Sequence, residues 1–290
     1  ILASVHLVEL FGQRSILRDV SAAVRTSSRN VVRLVRWPAY REHVNSVHRA
    51  AVGESATPSR PMRGDTYPAP FGIIARPGFT YEPRPVYVSY AVYTPLLAQT
   101  NARWLAKARP PHVLFDIDPI DHQLPSLQDG ASWPILLADY DLGGEAGEHL
   151  ILERRSPPSS VALTRSATLR PRLGERVRLP SHDVTFARFT IDLSPRGKLA
   201  SVFYRTPPLR IRLGLADGRE KTFRFIRRMA GSEFLLSPLV ESRAAFAALH
   251  ARTNLDAVQW IVVEPERAEG LPAYETTYGI ELFALRQADR

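Results

Sequence analysis

The sequence comprises 290 residues, of which 44% are hydrophobic and 23% charged, and no stretch approaches the roughly 18 consecutive apolar residues of a membrane-spanning helix. This composition excludes full disorder, and the length predicts about two domains. Because the chain contains no cysteine, disulfides, thiolate catalysis and cysteine-ligated zinc or iron–sulfur sites are excluded.

The net charge of +9 comes almost entirely from arginine. Among the 38 basic residues, only Lys107, Lys198 and Lys221 are lysines, a bias typical of GC-rich bacterial genomes. No zinc-finger spacing, RNP-like aromatic motif or lysine-rich tail accompanies the charge. We therefore do not expect a nucleic-acid partner.

The N-terminal part, residues 1–50, predicts a cationic amphipathic helical segment. Over residues 5–35 apolar side chains recur at helical spacing, and arginines fall on a separate arc. The arc includes Arg14, Arg18, Arg25 and Arg29. Either these arginines dock on an anionic membrane surface or acidic partner, or the helix packs its apolar face into a core and leaves them in solvent. Because the chain begins at Ile1 and lacks a signal-peptide pattern, we expect it to be part of a longer protein.

An α/β domain is predicted over residues 51–155. Residues 51–83 are rich in proline and glycine and indicate a loop with short extended pieces. The pattern that follows predicts strands at 86–92, 113–117 and 149–153, and helices at 96–108 and 133–140.

A second domain is predicted over residues 161–290, after the Ser-Pro-Pro-Ser-Ser break at 156–160. Apolar residues alternate with polar ones, and Asp217-Gly218 is typical of a hairpin turn. Strands are predicted at 161–169, 176–179, 184–193, 199–204, 209–215, 221–226, 234–236, 258–263 and 278–285. With one helix at 243–251, they indicate an all-β antiparallel sandwich of jelly-roll type.

Common catalytic motifs are absent, including GxSxG, the P-loop, GxGxxG and HExxH, and the eight histidines occur singly. The densest polar cluster is Asp116, Asp118 and Asp121, directly after the apolar strand at 113–117. The carboxyl ends of strands in open α/β sheets are the usual place for sites, so Asp116 and Asp118 could hold a divalent metal, and the DxD spacing resembles that of many glycosyltransferases. The alternative is that these aspartates cap turns before Pro119.

A tyrosine-rich block at 84–95 supplies candidate ligand-binding residues. Tyr90 and Tyr93 offer aromatic faces for stacking on sugars, although tyrosine is equally common in strands for packing reasons. If the predicted strand at 86–92 lies parallel to the strand at 113–117, Arg84 and Asp121 lie at the same edge. They then either share a ligand site or form a structural ion pair.

The runs RPVYVSYAVYTPLLAQTNARWL and PPHVLFDIDPIDHQLPSL resemble a pattern of uncharacterised bacterial polytopic membrane proteins. The matching residues are Arg84, Pro85, Val86, Ser89, Tyr90, Tyr93, Thr94, Pro95, Asn101, Ile120 and Asp121. The resemblance spans roughly residue 83 to the end and implies a module that follows a membrane region on the extracytoplasmic side. Val88 stands where that pattern has a polar residue, and His122 stands where it has glycine or asparagine.

These observations favour a module that binds a glycan or another envelope component through Arg84, Tyr90, Tyr93, Asn101 and Asp121. One alternative is an enzyme that acts on glycosyl or phosphate groups with a divalent metal at Asp116 and Asp118. The other alternative is a purely structural interaction domain. No further cofactor is expected.

Overall fold

A computed structural model describes residues 36–52, 61–69, 78–157, 161–180 and 184–287 of the 290-residue chain. The chain divides into two units, residues 1–54 and residues 55–290. The described part of the first unit is helix α1 (Trp37–Val52). The amphipathic helix predicted at 5–35 lies outside the described residues. Within the described ranges, no helix combines the length and apolar character that crossing a membrane requires.

The second unit begins with a five-stranded mixed sheet in the order β2-β1-β3-β5-β4. Its strands are β1 (Met62–Tyr67), β2 (Phe79–Tyr81), β3 (His112–Phe115), β4 (Tyr140–Ala146) and β5 (His149–Arg154). Strand β1 runs parallel to β2 and β3, whereas β5 is antiparallel to β3 and β4. Helices α2 (Pro95–Ala108) and α3 (Trp133–Asp139) accompany the sheet. The α/β character of this part is confirmed.

Helix α2 begins and ends where the local sequence dictates. The Thr94 side-chain oxygen accepts a hydrogen bond from the backbone N–H of Leu97, and Pro95 occupies the first helical position, where no N–H is needed. The helix ends at Arg109, which adopts the left-handed conformation with φ 47°. The predicted helix at 96–108 is therefore confirmed.

The strand predicted at 86–92 is wrong. This segment is irregular and contains a short 3₁₀ helix, Ser89–Ala91. The Asn101 side chain takes up both backbone polar atoms of Val86, and the N–H of Ser89 donates to the carbonyl of Pro68. These backbone groups therefore have partners outside a strand ladder. The parallel neighbour of β3 is instead β1, with Tyr67 opposite Phe115.

The rest of the unit is dominated by two four-stranded sheets, ordered β10-β9-β12-β7 and β11-β8-β13-β6. Their strands are β6 (Val161–Leu169), β7 (Val177–Arg178), β8 (Thr185–Thr190), β9 (Leu209–Leu215), β10 (Glu220–Phe225), β11 (Phe234–Ser237), β12 (Val258–Pro265) and β13 (Gly279–Gln287). All their pairings are antiparallel. Helix α5 (Arg243–Ala251) matches its prediction. The antiparallel β character of this part is confirmed.

The strand predicted at 199–204 is also wrong. Residues 195–203 form helix α4 (Pro195–Phe203). Ser194 caps the helix by accepting a hydrogen bond from the N–H of Gly197, and Pro195 follows at the first helical position. This Ser-Pro pair is a helix-start pattern that the apolar run Leu-Ala-Ser-Val-Phe-Tyr obscures.

The described part of the unit contains two large hydrophobic cores and a smaller third cluster around Met62, Phe79 and Leu114. The larger core contains side chains from both four-stranded sheets, among them Ile211 and Ile261 from one sheet and Phe189 from the other. The second core joins Phe115 and Trp133 to Phe186, Phe246 and Phe283, from both sides of the predicted boundary at 156–160. The division into domains at 51–155 and 161–290 stays a prediction, and the two parts bury aromatic side chains against each other.

Candidate functional site

Arg84 is the centre of a buried charged network. The residue is buried, with 3% of its surface exposed. Its guanidinium group lies 3.6 Å from a carboxylate oxygen of Asp65 and 3.3 Å from one of Asp129. The guanidinium also donates to the carbonyl of Thr66 at 2.6 Å and lies over the ring of Tyr67 at 4.8 Å. Arg84 therefore ties the end of β1 to the turn that precedes α3.

Asn101 extends this network from α2. Its side-chain N–H group donates to Asp129 at 2.9 Å and to the carbonyl of Val86, and its oxygen accepts from the Val86 N–H. The side chain is fully buried. Both amide atoms of Asn101 and both terminal nitrogens of Arg84 thus hydrogen-bond to protein groups, whereas Arg84 Nε has no hydrogen-bond partner among the described residues. The predicted ligand-binding role of both residues stays a prediction.

The two carboxylates differ from ordinary aspartates. Burial raises the pKa of Asp129 to about 7, although Arg84 and Asn101 oppose the shift. Burial also raises the pKa of Asp65. For Arg84, burial lowers the pKa, but the two aspartates more than compensate and raise it. One guanidinium facing two buried carboxylates leaves a surplus negative charge, which a proton on Asp129 removes.

The sheet edge where β1 and β3 end is filled by protein side chains. Trp133 donates its indole N–H to the Tyr67 hydroxyl at 2.8 Å, and that hydroxyl donates to the carbonyl of Gln128. The cleft between these residues and Pro119 is too narrow to admit a water molecule. The cleft beside Trp133 therefore holds no ligand-sized space, whereas a cavity of about 230 Å³ lies farther along, beside Pro119 and His122.

The three aspartates that the sequence singled out lie in different surroundings. Asp116 accepts a hydrogen bond from the N–H of Ile117 and lies 3.4 Å from the Arg243 guanidinium. Asp121 forms an ion pair with Arg224 at 2.5 Å. Asp118 is exposed. The predicted ion pair between Arg84 and Asp121 is not formed, since each has other partners.

Potential metal ligands do not cluster in the described part of the chain. No group of three or more histidine or acidic side chains there is arranged to hold a metal ion. Asp116 and Asp118 leave the sheet edge on a loop whose next turn places Asp121 and His122 in left-handed conformations, both at φ 54°. A metal at Asp116 and Asp118 stays a prediction.

The candidate tyrosines lie in the irregular segment before α2. Tyr93 is 48% exposed, whereas Tyr90 is partly buried. Tyr87, in the same segment, is also exposed. These rings are available to solvent, but no described cavity includes them.

The largest described groove lies on the second part of the unit, and sequence reasoning missed it. It has a volume of about 720 Å³ and runs beside β7 and β12. Its lining residues are Arg176, Arg178, Leu179, Pro180, Ala216, Ser237, Ala257, Val258, Gln259 and Trp260. None of them is acidic.

Trp260 organises this groove. It lies opposite Arg178 on one side and Gly214 on the other, across three adjacent strands. A Cβ at Gly214 would overlap the indole, so only glycine lets the ring lie across β9. The Arg176 guanidinium covers the ring, with its carbon 4.0 Å from the ring centroid.

This arrangement presents two positive charges to the groove. Arg176 and Arg178 are both exposed, and within the described residues neither has a carboxylate partner. A guanidinium stacked flat on an indole keeps its N–H groups at the rim, where they can form paired hydrogen bonds with a carboxylate or phosphate. The alternation Arg-Val-Arg at 176–178 was a sequence signal for two arginines on one face of a strand.

Comparisons with known proteins give one weak similarity. No family model matches the sequence. No curated protein matches it either. Among solved structures, the chain is similar to AlgX of Pseudomonas aeruginosa, with 13% identity and a TM-score of 0.22 over 44% of this chain. The chain covers only 27% of the AlgX chain, and a similarity this weak carries no conclusion about function.

Proposed function

We propose that the chain is a non-catalytic binding module for an acidic glycan, carried by a longer bacterial membrane protein on its extracytoplasmic side. The observation that carries the proposal is the Trp260 groove, where two arginines without a carboxylate partner among the described residues flank an indole and none of the described lining residues is acidic. The two antiparallel four-stranded sheets share a hydrophobic core, as the proposed sandwich requires, and the resemblance described above supports the membrane-protein context.

The chemistry of the groove matches a sugar that bears carboxylate or phosphate groups. Arg176 and Arg178 supply forked donors for an anion, and the half-buried Trp260 supplies apolar surface for the sugar ring. Gln259 adds an amide that can donate to or accept from hydroxyl groups. The combination selects for an anionic saccharide over a neutral one.

The test is affinity electrophoresis of the full chain in gels that contain polygalacturonate or neutral dextran. We expect retardation by polygalacturonate alone. Arg176→Gln should weaken binding by about tenfold or more, because it removes a charge-assisted hydrogen-bond donor and the cover of Trp260.

The control accounts for the overall positive charge of the chain. Arg103 is an exposed residue of α2 whose side chain contacts only groups of its own helix. Arg103→Gln removes the same charge outside the groove and should leave retardation nearly unchanged. Equal losses for the two variants would show non-specific attraction and would overturn the proposal.

The metal-dependent alternative is tested on the same protein. Asp116→Asn and Asp118→Asn would abolish binding of Mn²⁺ measured by calorimetry if these residues hold a metal. No Mn²⁺ binding by the wild-type chain would remove this alternative.

A further inference from the structure

Helix α4 (Pro195–Phe203) carries an unusual exposed apolar surface. Leu199, Val202, Phe203 and Tyr204 are 69%, 73%, 76% and 77% exposed, respectively. The first three are spaced three and four residues apart and therefore lie on one face of the helix. Single exposed apolar residues are ordinary, but four within six positions mark an interaction surface.

The contacts that attach the helix to the described body lie at its first turn. A Cβ at Gly197 would overlap the carbonyl of Ala273, and the Ser194 hydroxyl donates to the carbonyl of Pro272 at 2.6 Å. These contacts tie the first turn to the short helix Ala268–Ala273. Every residue from 198 to 205 is exposed. The apolar face therefore protrudes from the body instead of lining a groove.

The charges around this face are positive. Arg196, Lys198 and Arg205 are exposed, and within the described residues none of them has a carboxylate partner. The sequence from 193 to 216 contains no acidic residue. Asp192 lies before the helix, and Glu269 lies in the segment that holds its first turn.

We infer that helix α4 inserts its apolar face into the surface of a bilayer that contains anionic lipid. A helix with leucine, valine and phenylalanine exposed on one face, a tyrosine directly after it and basic residues beside them has the composition of an interfacial membrane anchor. The arginines and the lysine meet lipid phosphates, while the apolar side chains enter the boundary between headgroups and acyl chains. The positive flanks favour this occupant over a second copy of the chain, which would bring like charges together.

This inference concerns a surface separate from the glycan groove and does not depend on the proposed function. It also differs from the predicted docking on an anionic membrane surface through the arginines of the helix at 5–35. Binding through those arginines would also retain the chain on a vesicle, so the test must report on Phe203 itself.

The experiment uses the absence of cysteine from the full chain. Phe203→Cys is labelled with a fluorophore whose emission shifts to the blue in apolar surroundings, and Leu96→Cys serves as the control. Leu96 is also strongly exposed, but it lies on α2. We expect a blue shift at position 203, and none at 96, when phosphatidylglycerol–phosphatidylcholine vesicles are added.

Charge variants complete the test. Replacing Arg196, Lys198 and Arg205 by glutamine should raise the lipid concentration needed for half of the blue shift by about fivefold per charge. No shift at 203, or an equal shift at 96, would overturn the inference. A shift that appears without vesicles and grows with protein concentration would assign the surface to a second copy instead.

Discussion

Arginine is used in two opposite ways in this molecule. Arg84 is buried between two aspartates and beside Asn101, so each of its charged contacts is internal. Arg176 is exposed, stacks on Trp260 and has no carboxylate partner within the described residues. The difference teaches that the arginine in the most suggestive sequence pattern has buried carboxylate partners, whereas the less conspicuous Arg-Val-Arg run presents two arginines to solvent with no carboxylate partner among the described residues.

The contrast has an energetic basis. A buried ion pair contributes little net stability because desolvation opposes the attraction, but removal of one partner leaves a charge with no compensation. Removal of an exposed arginine changes the free energy of unfolding little, because water already solvates its charge. The two regions should therefore respond to the same substitution with effects of very different size.

The largest effect is expected for Arg84→Gln. The substitution leaves Asp65 and Asp129 buried without a cation, and should lower the free energy of unfolding by about 3–5 kcal/mol in urea denaturation. Arg103→Gln, on an exposed helix face, should change it by less than about 0.5 kcal/mol.

A rescue variant sharpens this comparison. Adding Asp65→Asn and Asp129→Asn to Arg84→Gln removes the buried charges, so part of the lost stability should return. If the triple variant is less stable than Arg84→Gln alone, the loss comes from packing rather than from the unpaired carboxylates.

A pH-dependent effect of intermediate size is expected from Asp129. Its pKa is about 7 in the folded chain and near 4 when unfolded, so the folded state keeps a proton that the unfolded state has released. This contribution is fully present below about pH 4 and is lost as the pH rises through about 7. The stability of the wild type relative to Asp129→Asn should therefore fall by up to about 1.4 kcal/mol per pH unit over that range.

Urea denaturation of both proteins at several pH values measures this difference. Taking the difference cancels the titration of all groups that the two chains share. A difference that stays constant or rises with pH would mean that Asp129 is ionised throughout the range.

The smallest effect is expected for His122→Gly. His122 adopts φ 54°, a conformation that costs a residue with a Cβ roughly 1–2 kcal/mol. Glycine removes this strain, but its greater loss of backbone entropy on folding cancels about half of the gain. The variant should be more stable by about 0.5–1 kcal/mol in thermal or urea unfolding. His122→Ala keeps the strained conformation and should give no such gain, so equal gains for both variants would refute the explanation.

Local patterns were accessible from the sequence. They predicted helix α5, helix α2 and the hairpin around Asp217-Gly218.

Long-range pairing was not accessible from the sequence. The network of Arg84 depends on Asp65 and Asp129, which lie 19 residues before it and 45 residues after it in the chain, and no local period connects them. The errors at 86–92 and 199–204 share another cause. Valine, tyrosine and phenylalanine favour strands on average, but side-chain capping by Asn101 and Ser194 satisfies the backbone in other ways.

The most direct test of the division between a structural Arg84 network and a ligand groove at Trp260 uses the four tryptophans of the chain. Each indole N–H gives its own signal in a nitrogen-edited NMR spectrum, Trp260 reports on the groove, and Trp133 reports on the sheet edge beside Tyr67. During titration with oligogalacturonate, the account predicts that the Trp260 signal shifts and the Trp133 signal stays in place. A shift of Trp133 with an unchanged Trp260 would contradict it and would return the site to the edge where Arg84, Tyr90, Tyr93, Asn101 and Asp121 were predicted to act.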